Sequence, residues 1–381
     1  MTTSSPGSPG SPGSPGSPGS PDPVRYGVIG TGMMGCEHIT NLVHLPEAEV
    51  VAIADPVESS LEWGRLAAGA PVDAYADHRE LLARDDLDAV VVASPNHTHA
   101  TVLRDALATD LAVLVEKPMC TTIEDCLDVR ARAADREALT WVGLEYRFMP
   151  TIATLLDQLA TGVCGTTRMV SIREHRFPFL VKVGNWNRFT ENTGGTLVEK
   201  CCHFFDLMRL VAGYSTGTGA RPVRVMASGG QAVNHLDEVY DGRTPDILDH
   251  AYVIVEFDNG VRGSLDLSMF AEGGRFEQEI TVVGDRAKLE ATVPGDTVFI
   301  GPRDRSGPHA VPAHADADVT YQGFHHGSSF VEHRRFIDCL RTRRPAEVTP
   351  DDGLWSVVMG AAAHRSIDER RIVEIAEYGL L

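Results

Sequence analysis

The chain has 381 residues, enough for two ordinary domains, and a net charge of −19 that argues against sequence-independent binding to nucleic acid or anionic membranes. No apolar run approaches the roughly 20 residues of a membrane-crossing helix, and the first 24 residues lack the basic start and apolar core of a secretory signal. Seven cysteines, an odd number with no Cys-x-x-Cys pair, fit reduced thiols and a cytoplasmic location.

Residues 1–24 contain five Ser-Pro-Gly triplets between Ser5 and Gly19 and are predicted to be a disordered tail with polyproline II character. Arg25 to Ile29 is a short β-rich run. Gly30-Thr31-Gly32-Met33-Met34-Gly35 then opens a segment with helical apolar spacing. A second β-rich run, Val50 to Ala54, ends on Asp55, twenty residues past Gly35. Strand, glycine turn, helix, strand and terminal acid together make a dinucleotide-binding βαβ unit; the competing reading is a tight turn with no ligand. Gly30 allows the turn, Gly32 lets backbone N–H groups approach a pyrophosphate, and Gly35 lets the helix pack on the strand. The pyrophosphate then sits at the positive end of the helix dipole. Asp55 is placed to accept hydrogen bonds from a ribose diol, which favours NAD, with NADP open if a basic neighbour overrides it.

The alternation continues. Helices are predicted over Ser59–Ala68 and Asp77–Ala83, a buried strand over Asp88–Ala93, and a helix over His97–Ala108. A strand over Leu111–Glu116 follows, then a helix from Thr121 or Thr122 to about Ala138 and a strand over Thr140–Leu144. Residues 25–148 therefore read as a doubly wound parallel sheet with its ligand at the carboxyl ends of the strands. The rhythm changes near Pro150. A helix over Thr151–Ala160 precedes strand-like runs at Val170–His175, Val223–Ala227, Ala251–Phe257, Val261–Leu267 and Glu279–Val283. Asp258-Asn259-Gly260 is a hairpin turn. Helices are expected over Leu197–Val211, Phe330–Leu340 and Gly353–Ile367, and a surface loop over 300–325. Residues 149–381 thus read as an α+β unit with an antiparallel sheet, and the chain as α/β overall.

Three constellations carry chemistry. Ser94-Pro95-Asn96-His97-Thr98-His99 follows the Asp88–Ala93 strand; Asn96 or Thr98 either caps the helix or meets a nicotinamide ribose. Glu116-Lys117-Pro118 ends the Leu111–Glu116 strand. Lys117 there can hydrogen-bond a hydroxyl or carbonyl oxygen, with a pKa lowered near a nicotinamide; the plainer reading is a surface salt bridge. The Lys-Pro bond is a candidate cis peptide. Gly194-Gly195-Thr196-Leu197-Val198-Glu199-Lys200-Cys201-Cys202-His203 places Glu199 and His203 four apart on one helix face, as for an oriented general base or for an exposed i,i+4 pair. Adjacent Cys201, Cys202 and His203 diverge around a helix, so no metal is expected. Trp186 and Arg188 can offer an aromatic face and a hydrogen-bonding edge. Arg173, His175 and Arg176 are candidates to line the pocket, and His326 to reach it from the late loop.

The glycine fingerprint at 30–35, Ser-Pro-Asn-His-Thr-His at 94–99, Glu116-Lys117-Pro118 and the Gly-Gly-x-Leu-x-acid-x₃-His element at 194–203 form an ordered set. Together they resemble the Gfo/Idh/MocA oxidoreductase family from about Arg25 to the C-terminus. The resemblance implies a Rossmann domain that binds NAD or NADP through Gly30 to Gly35, Asp55, Ser94, Pro95, Asn96, His99, Glu116 and Lys117. It also implies a second domain with a large open sheet through which dimers or tetramers form. It implies that Lys117 binds the reacting hydroxyl, that His203 acts as acid/base and that Glu199 supports His203. The expected substrate is a cyclic polyol or sugar, bound by Lys117, Arg176, Trp186, Arg188, Glu199, Lys200, His203 and His326. The family's acid is normally Asp, the next position apolar and the one after that Gly; here they are Glu199, Lys200 and Cys201. Lys200 thus implies a second cation toward a polar or acidic substrate. An NAD-retaining glycosidase and a non-catalytic NAD-binding regulator are the alternatives.

Overall fold

The computed structural model describes residues 22–214 and 219–380. The predicted tail, apart from its last three residues, lies outside them. Six strands form the first sheet: β1 (Val24–Ile29), β2 (Ala48–Ala54), β3 (Asp73–Tyr75), β4 (Ala89–Val92), β5 (Ala112–Glu116) and β6 (Thr140–Gly143). Their order is β3-β2-β1-β4-β5-β6, all parallel. The strand order reverses between β1 and β4, the place where an open α/β sheet leaves a crevice for its ligand. β4 and β5 are buried throughout because helices cover both faces. Those helices are α1 (Met33–Val43), α2 (Glu58–Ala68), α3 (His78–Leu82), α4 (His99–Ala106) and α5 (Ile123–Ala134). Thr122 caps α5 by accepting from the Asp125 N–H at 3.1 Å.

Helix α6 (Pro150–Ala160) leads into a nine-stranded sheet. Its strands are β7 (Thr167–His175), β8 (Pro222–Gly230), β9 (His250–Phe257), β10 (Arg262–Ser268), β11 (Gln278–Gly284), β12 (Ala287–Val293), β13 (Thr297–Pro302), β14 (His309–Pro312) and β15 (Val373–Glu374). The order is β14-β13-β12-β11-β7-β10-β9-β8-β15, antiparallel except for the β7–β10 pair. β7 is central, so its inward side chains are among the most buried of the chain.

Two expectations change here. The stretch 300–325 is not one loop: its first part completes β13 and adds β14 as a hairpin. No residue of β14 is buried, so no apolar alternation marks it. Helix 197–211 is two pieces, α8 (Thr196–Glu199) and α9 (Cys202–Gly213), separated by Lys200 and Cys201. Cys201 adopts φ −90°, ψ −2°, and α9 starts afresh from its carbonyl, which accepts from Phe204 and Phe205. The short helix α7 (Thr190–Thr193) precedes them.

Helices α10 (Ser328–Thr342) and α11 (Pro350–Glu369) return to the first sheet and tie the two sheets together. Val142 N–H donates to Val348 O at 3.1 Å, and Trp141 Nε1 to Glu332 at 2.9 Å. Arg147 pairs with buried Asp206 and, at 3.2 Å, with Asp352, which also holds Arg209 at 2.7 Å. Thr349 and Asp352 form a reciprocal capping box that fixes the start of α11.

Candidate active site

The glycine turn after β1 is shaped by three different constraints. Gly30 has φ +89°, and a Cβ there would lie 2.5 Å from the Ser94 nitrogen. A Cβ on Gly35 would overlap the Gly30 carbonyl oxygen, so α1 packs tightly on the turn. A Cβ on Gly32 would meet nothing within 4 Å. Gly32 is also the N-cap of α1, with no side-chain cap and no acidic residue in the first turn. The positive end of α1 thus faces open space, a fit for a diphosphate. Asp55 accepts from Thr31 N–H and Val57 N–H, both at 2.9 Å, so its carboxylate also braces the turn. Each oxygen keeps a lone pair for a ribose hydroxyl.

A segment from the second sheet spans this crevice. Lys182 Nζ sits 3.9 Å from Met33 Sδ at the start of α1, and the Trp186 ring lies edge-on to His97, 6.2 Å between centroids. Burial and neighbouring Lys117 lower the Lys182 pKa. Lys182 comes from a loop without periodicity, and only its spacing from β7 hints at its position.

The turns after β4 and β5 are joined by His99. Its Nδ1 meets Pro118 O and its Nε2 meets Ser94 O, both at 2.9 Å, and the ring is fully buried. His99 is therefore a brace beneath the crevice. Neither Asn96 nor Thr98 caps a helix: Thr98 Oγ1 donates to Pro95 O and shares a hydrogen bond with Ser94 Oγ, and Asn96 Nδ2 is buried with no partner.

Glu116 accepts from His38 Nε2 at 2.8 Å and from the Lys117 N–H at 3.0 Å. His38 Nδ1 in turn meets His333 Nε2 at 2.8 Å. A carboxylate only accepts, which puts the His38 proton on Nε2. Burial opposes the Glu116 charge, but the hydrogen bond from His38 and the Lys117 ammonium win and its pKa falls to about 2. The Lys117–Pro118 peptide is cis. Burial also opposes the Lys117 ammonium, yet Cys202, Glu116 and Glu145 outweigh it and its pKa is raised, not lowered. Lys117 is a fixed donor.

His203 lies on the first turn of α9, fully buried, stacked on Tyr146 at 3.9 Å and 5°. Its Nδ1 has no partner. Burial, Lys117 and Lys200 push its pKa well down, so the ring is neutral and able to accept a proton. Glu199 does not hydrogen-bond His203, because the break at Lys200–Cys201 ends the regular i,i+4 relation. Burial lifts the Glu199 pKa to about 7 against Lys117 and Lys182, and its Oε2 is unpartnered. Lys200 is not a free second cation: its Nζ pairs with Glu174 at 3.0 Å and donates to the Tyr146 hydroxyl at 2.9 Å.

The remaining candidates separate. Strand alternation turns Glu174 inward and Arg173 and His175 outward, where they pair with Glu279 and Asp266. Arg176 lies over Phe177 at 4.1 Å, with its Nε buried and unpartnered. Arg188 is buried against Glu238 at 3.0 Å. His326 is exposed in a left-handed turn, while its neighbour His325 points inward, 3.4 Å from Glu145. Glu145 has no signal in the sequence. It follows β6 in a 3₁₀ turn (Glu145–Phe148), fully buried, with both oxygens unpartnered. Burial and Glu116 lift its pKa to about 8 against Lys117.

Residues 24–144 match a family model described as an oxidoreductase family, NAD-binding Rossmann fold. Residues 157–375 match its companion, the C-terminal alpha/beta domain. The fold is that of an NAD-binding oxidoreductase. Matched by both models over most of its length, the chain belongs to the Gfo/Idh/MocA family. It is 26% identical over 360 residues to a myo-inositol 2-dehydrogenase of Thermotoga maritima, covering 93% of this chain and 99% of that one. It is 28% identical over 358 residues to an inositol 2-dehydrogenase of Rhizobium meliloti, with the same coverage. Its fold is similar to that of a levoglucosan dehydrogenase solved with NADH and levoglucosan, at TM-score 0.80 and 19% identity, covering 93% of this chain and 100% of that one. No helix among the described residues is long and apolar enough to cross a membrane.

Proposed function

We propose that the protein oxidises a secondary alcohol of a cyclic polyol or sugar, with NAD preferred over NADP. The observation that carries this reading is a charged Lys117 next to a neutral His203 whose Nδ1 is unpartnered, beside an open dinucleotide crevice. Gly30 to Gly35, Asp55, Ser94 to Asn96 and Lys182 hold the cofactor. When bound, its nicotinamide accepts the hydride of the carbinol carbon. Lys117 donates a hydrogen bond to the alcohol oxygen and stabilises its developing negative charge. His203 Nδ1 takes the hydroxyl proton. Glu199, poised near neutrality, and the free Nε of Arg176 bind neighbouring hydroxyls. Trp186 offers a ring face to the substrate. Relatives named as inositol 2-dehydrogenases support the substrate class.

The same reading divides the chain at residue 149, with cofactor contacts in 25–148 and substrate contacts mainly in 149–381. It also makes the outer face of the nine-stranded sheet the subunit contact of a dimer or tetramer. Met169, Met226, Tyr252, Ile254 and Phe299 are exposed there. Light scattering on the purified protein checks this, and a monomer removes it.

The test of the activity is reduced-nicotinamide absorbance with NAD or NADP across inositols, aldoses and sugar derivatives. A rise with one of them and NAD is expected. His203→Ala then lowers kcat about 10²–10⁴-fold and leaves NAD affinity unchanged. A flat trace with NAD bound would falsify the reading.

A further inference from the structure

Oxidation of an alcohol releases a proton, and His203 cannot deliver it to water directly: its side chain is 1% exposed. On the side away from the unpartnered Nδ1, Nε2 lies 3.9 Å from Glu145 Oε1. The same carboxyl oxygen lies 3.4 Å from His325 Nδ1, and the His325 side chain is 21% exposed. Neither oxygen of Glu145 has a hydrogen-bond partner, and His325 Nδ1 has none either. A buried carboxyl with no donor costs stability, and nothing in the fold needs it there. The turn that carries Glu145 is held by its neighbours instead, with Tyr146 stacked on His203 and Arg147 paired with Asp206.

We propose that Glu145 is a proton-relay residue, taking the proton from His203 and passing it through His325 to water. The proposal rests on the dehydrogenase reading above. The substrate O–H bond breaks as the His203 Nδ1–H bond forms, and the Nε2–H proton moves to Glu145 Oε1. That proton then moves to His325 Nδ1 as the opposite nitrogen releases one to water. One proton leaves in all, while the electron pair of the C–H bond goes to NAD as hydride. The separations of 3.9 and 3.4 Å are longer than hydrogen bonds, and relays of this kind tighten when substrate fills the site.

The groups facing Glu145 set the direction. Glu116 and Lys117 face it from the end of β5, Lys200 and His203 from the α8–α9 junction, His325 from the loop before α10, and Glu332 from α10. Burial and Glu116 make Glu145 hold a proton more tightly, while burial and the two lysines make His203 hold one less tightly. Once Glu145 ionises, as pH rises through about 8, it draws the proton from His203, which is why the relay gives the rate an alkaline rise. His325, also depressed by burial and by Lys200 and Lys117, transfers it as a neutral ring that accepts at one nitrogen while donating from the other.

The test is Glu145→Gln, which keeps the shape and removes the ionisable oxygen, measured with NAD and the alcohol the wild-type enzyme oxidises. Expected are a kcat lowered about 10–100-fold, substrate KM and NAD affinity within about twofold of wild type, and loss of the alkaline rise in the pH–rate profile. His325→Ala should slow turnover similarly and recover with added imidazole, a rescue that a purely structural role would not give. Unchanged kcat in Glu145→Gln, or a KM rise that matches the kcat loss, overturns the relay alone. A wild-type protein that forms no NADH overturns the dehydrogenase reading and the relay with it.

Discussion

Gly32 and Gly35 stand three residues apart in one turn and answer to different forces. An added methyl at Gly35 strikes the Gly30 carbonyl, whereas at Gly32 it meets open space. Gly35→Ala should therefore destabilise the fold by about 1–3 kcal/mol, read as a lower melting temperature. Gly32→Ala should melt with wild type yet bind NADH more weakly, read by fluorescence titration. Glu145 gives a second residue-scale prediction. Its folded pKa, about 8, lies above the ordinary value of 4.5, so the folded state binds the extra proton. Its contribution is present below about 4.5 and is lost as pH rises through about 8. Glu145→Gln should thus gain stability relative to wild type at pH above 8, measured by urea unfolding at several pH values. The glycine turn, Lys117 and His203 are legible in the sequence because fixed spacing marks them. Glu145 and Lys182 are not, because they reach the site from turns that have no period to read. Lys200 reads as a free cation in the sequence because its neutralising partner, Glu174, lies on a distant strand.

At the scale of elements, the break between α8 and α9 decides how the second motif is used. A continuous helix would set Glu199 one turn from His203; with the break, the two make no hydrogen bond to each other. The start of α8 is pinned from α11, where His364 Nε2 accepts the Leu197 N–H at 3.0 Å. Burial holds His364 down to about 4, which keeps that nitrogen free to accept. His364→Ala should lower kcat by about tenfold or more with little change in NAD affinity, since small displacements of a reacting group are costly. Segment 177–188 is the other decisive element. Lys182→Ala should weaken NADH binding by about tenfold or more if, as proposed, its partly buried ammonium meets the diphosphate. Apart from β3, three residues long with none buried, the alternating strands and helices of the first sheet are readable from their periodicity. β12 is not, because two of its inward residues are the small Ala287 and Ala291, and charged Lys288 and Glu290 alternate with them, which dilutes the apolar signal.

The whole molecule is a pair of sheets fastened by its own C-terminal helices. Trp141–Glu332, His38–His333, Val142–Val348 and the Arg147–Asp206–Asp352–Arg209 cluster all cross between segments far apart in the chain. Calorimetry should show one cooperative transition, not two, for the described structure. Periodicity could locate α10 and α11 but not what they fasten, because contacts at such sequence separation leave no local trace. With both walls of the crevice fixed in this way, the segment carrying Lys182 and Trp186 is the part left to yield when a dinucleotide enters or departs. That segment then lies over a bound dinucleotide, so Lys182→Ala should also let NADH leave faster, read as a higher dissociation rate by rapid-mixing displacement.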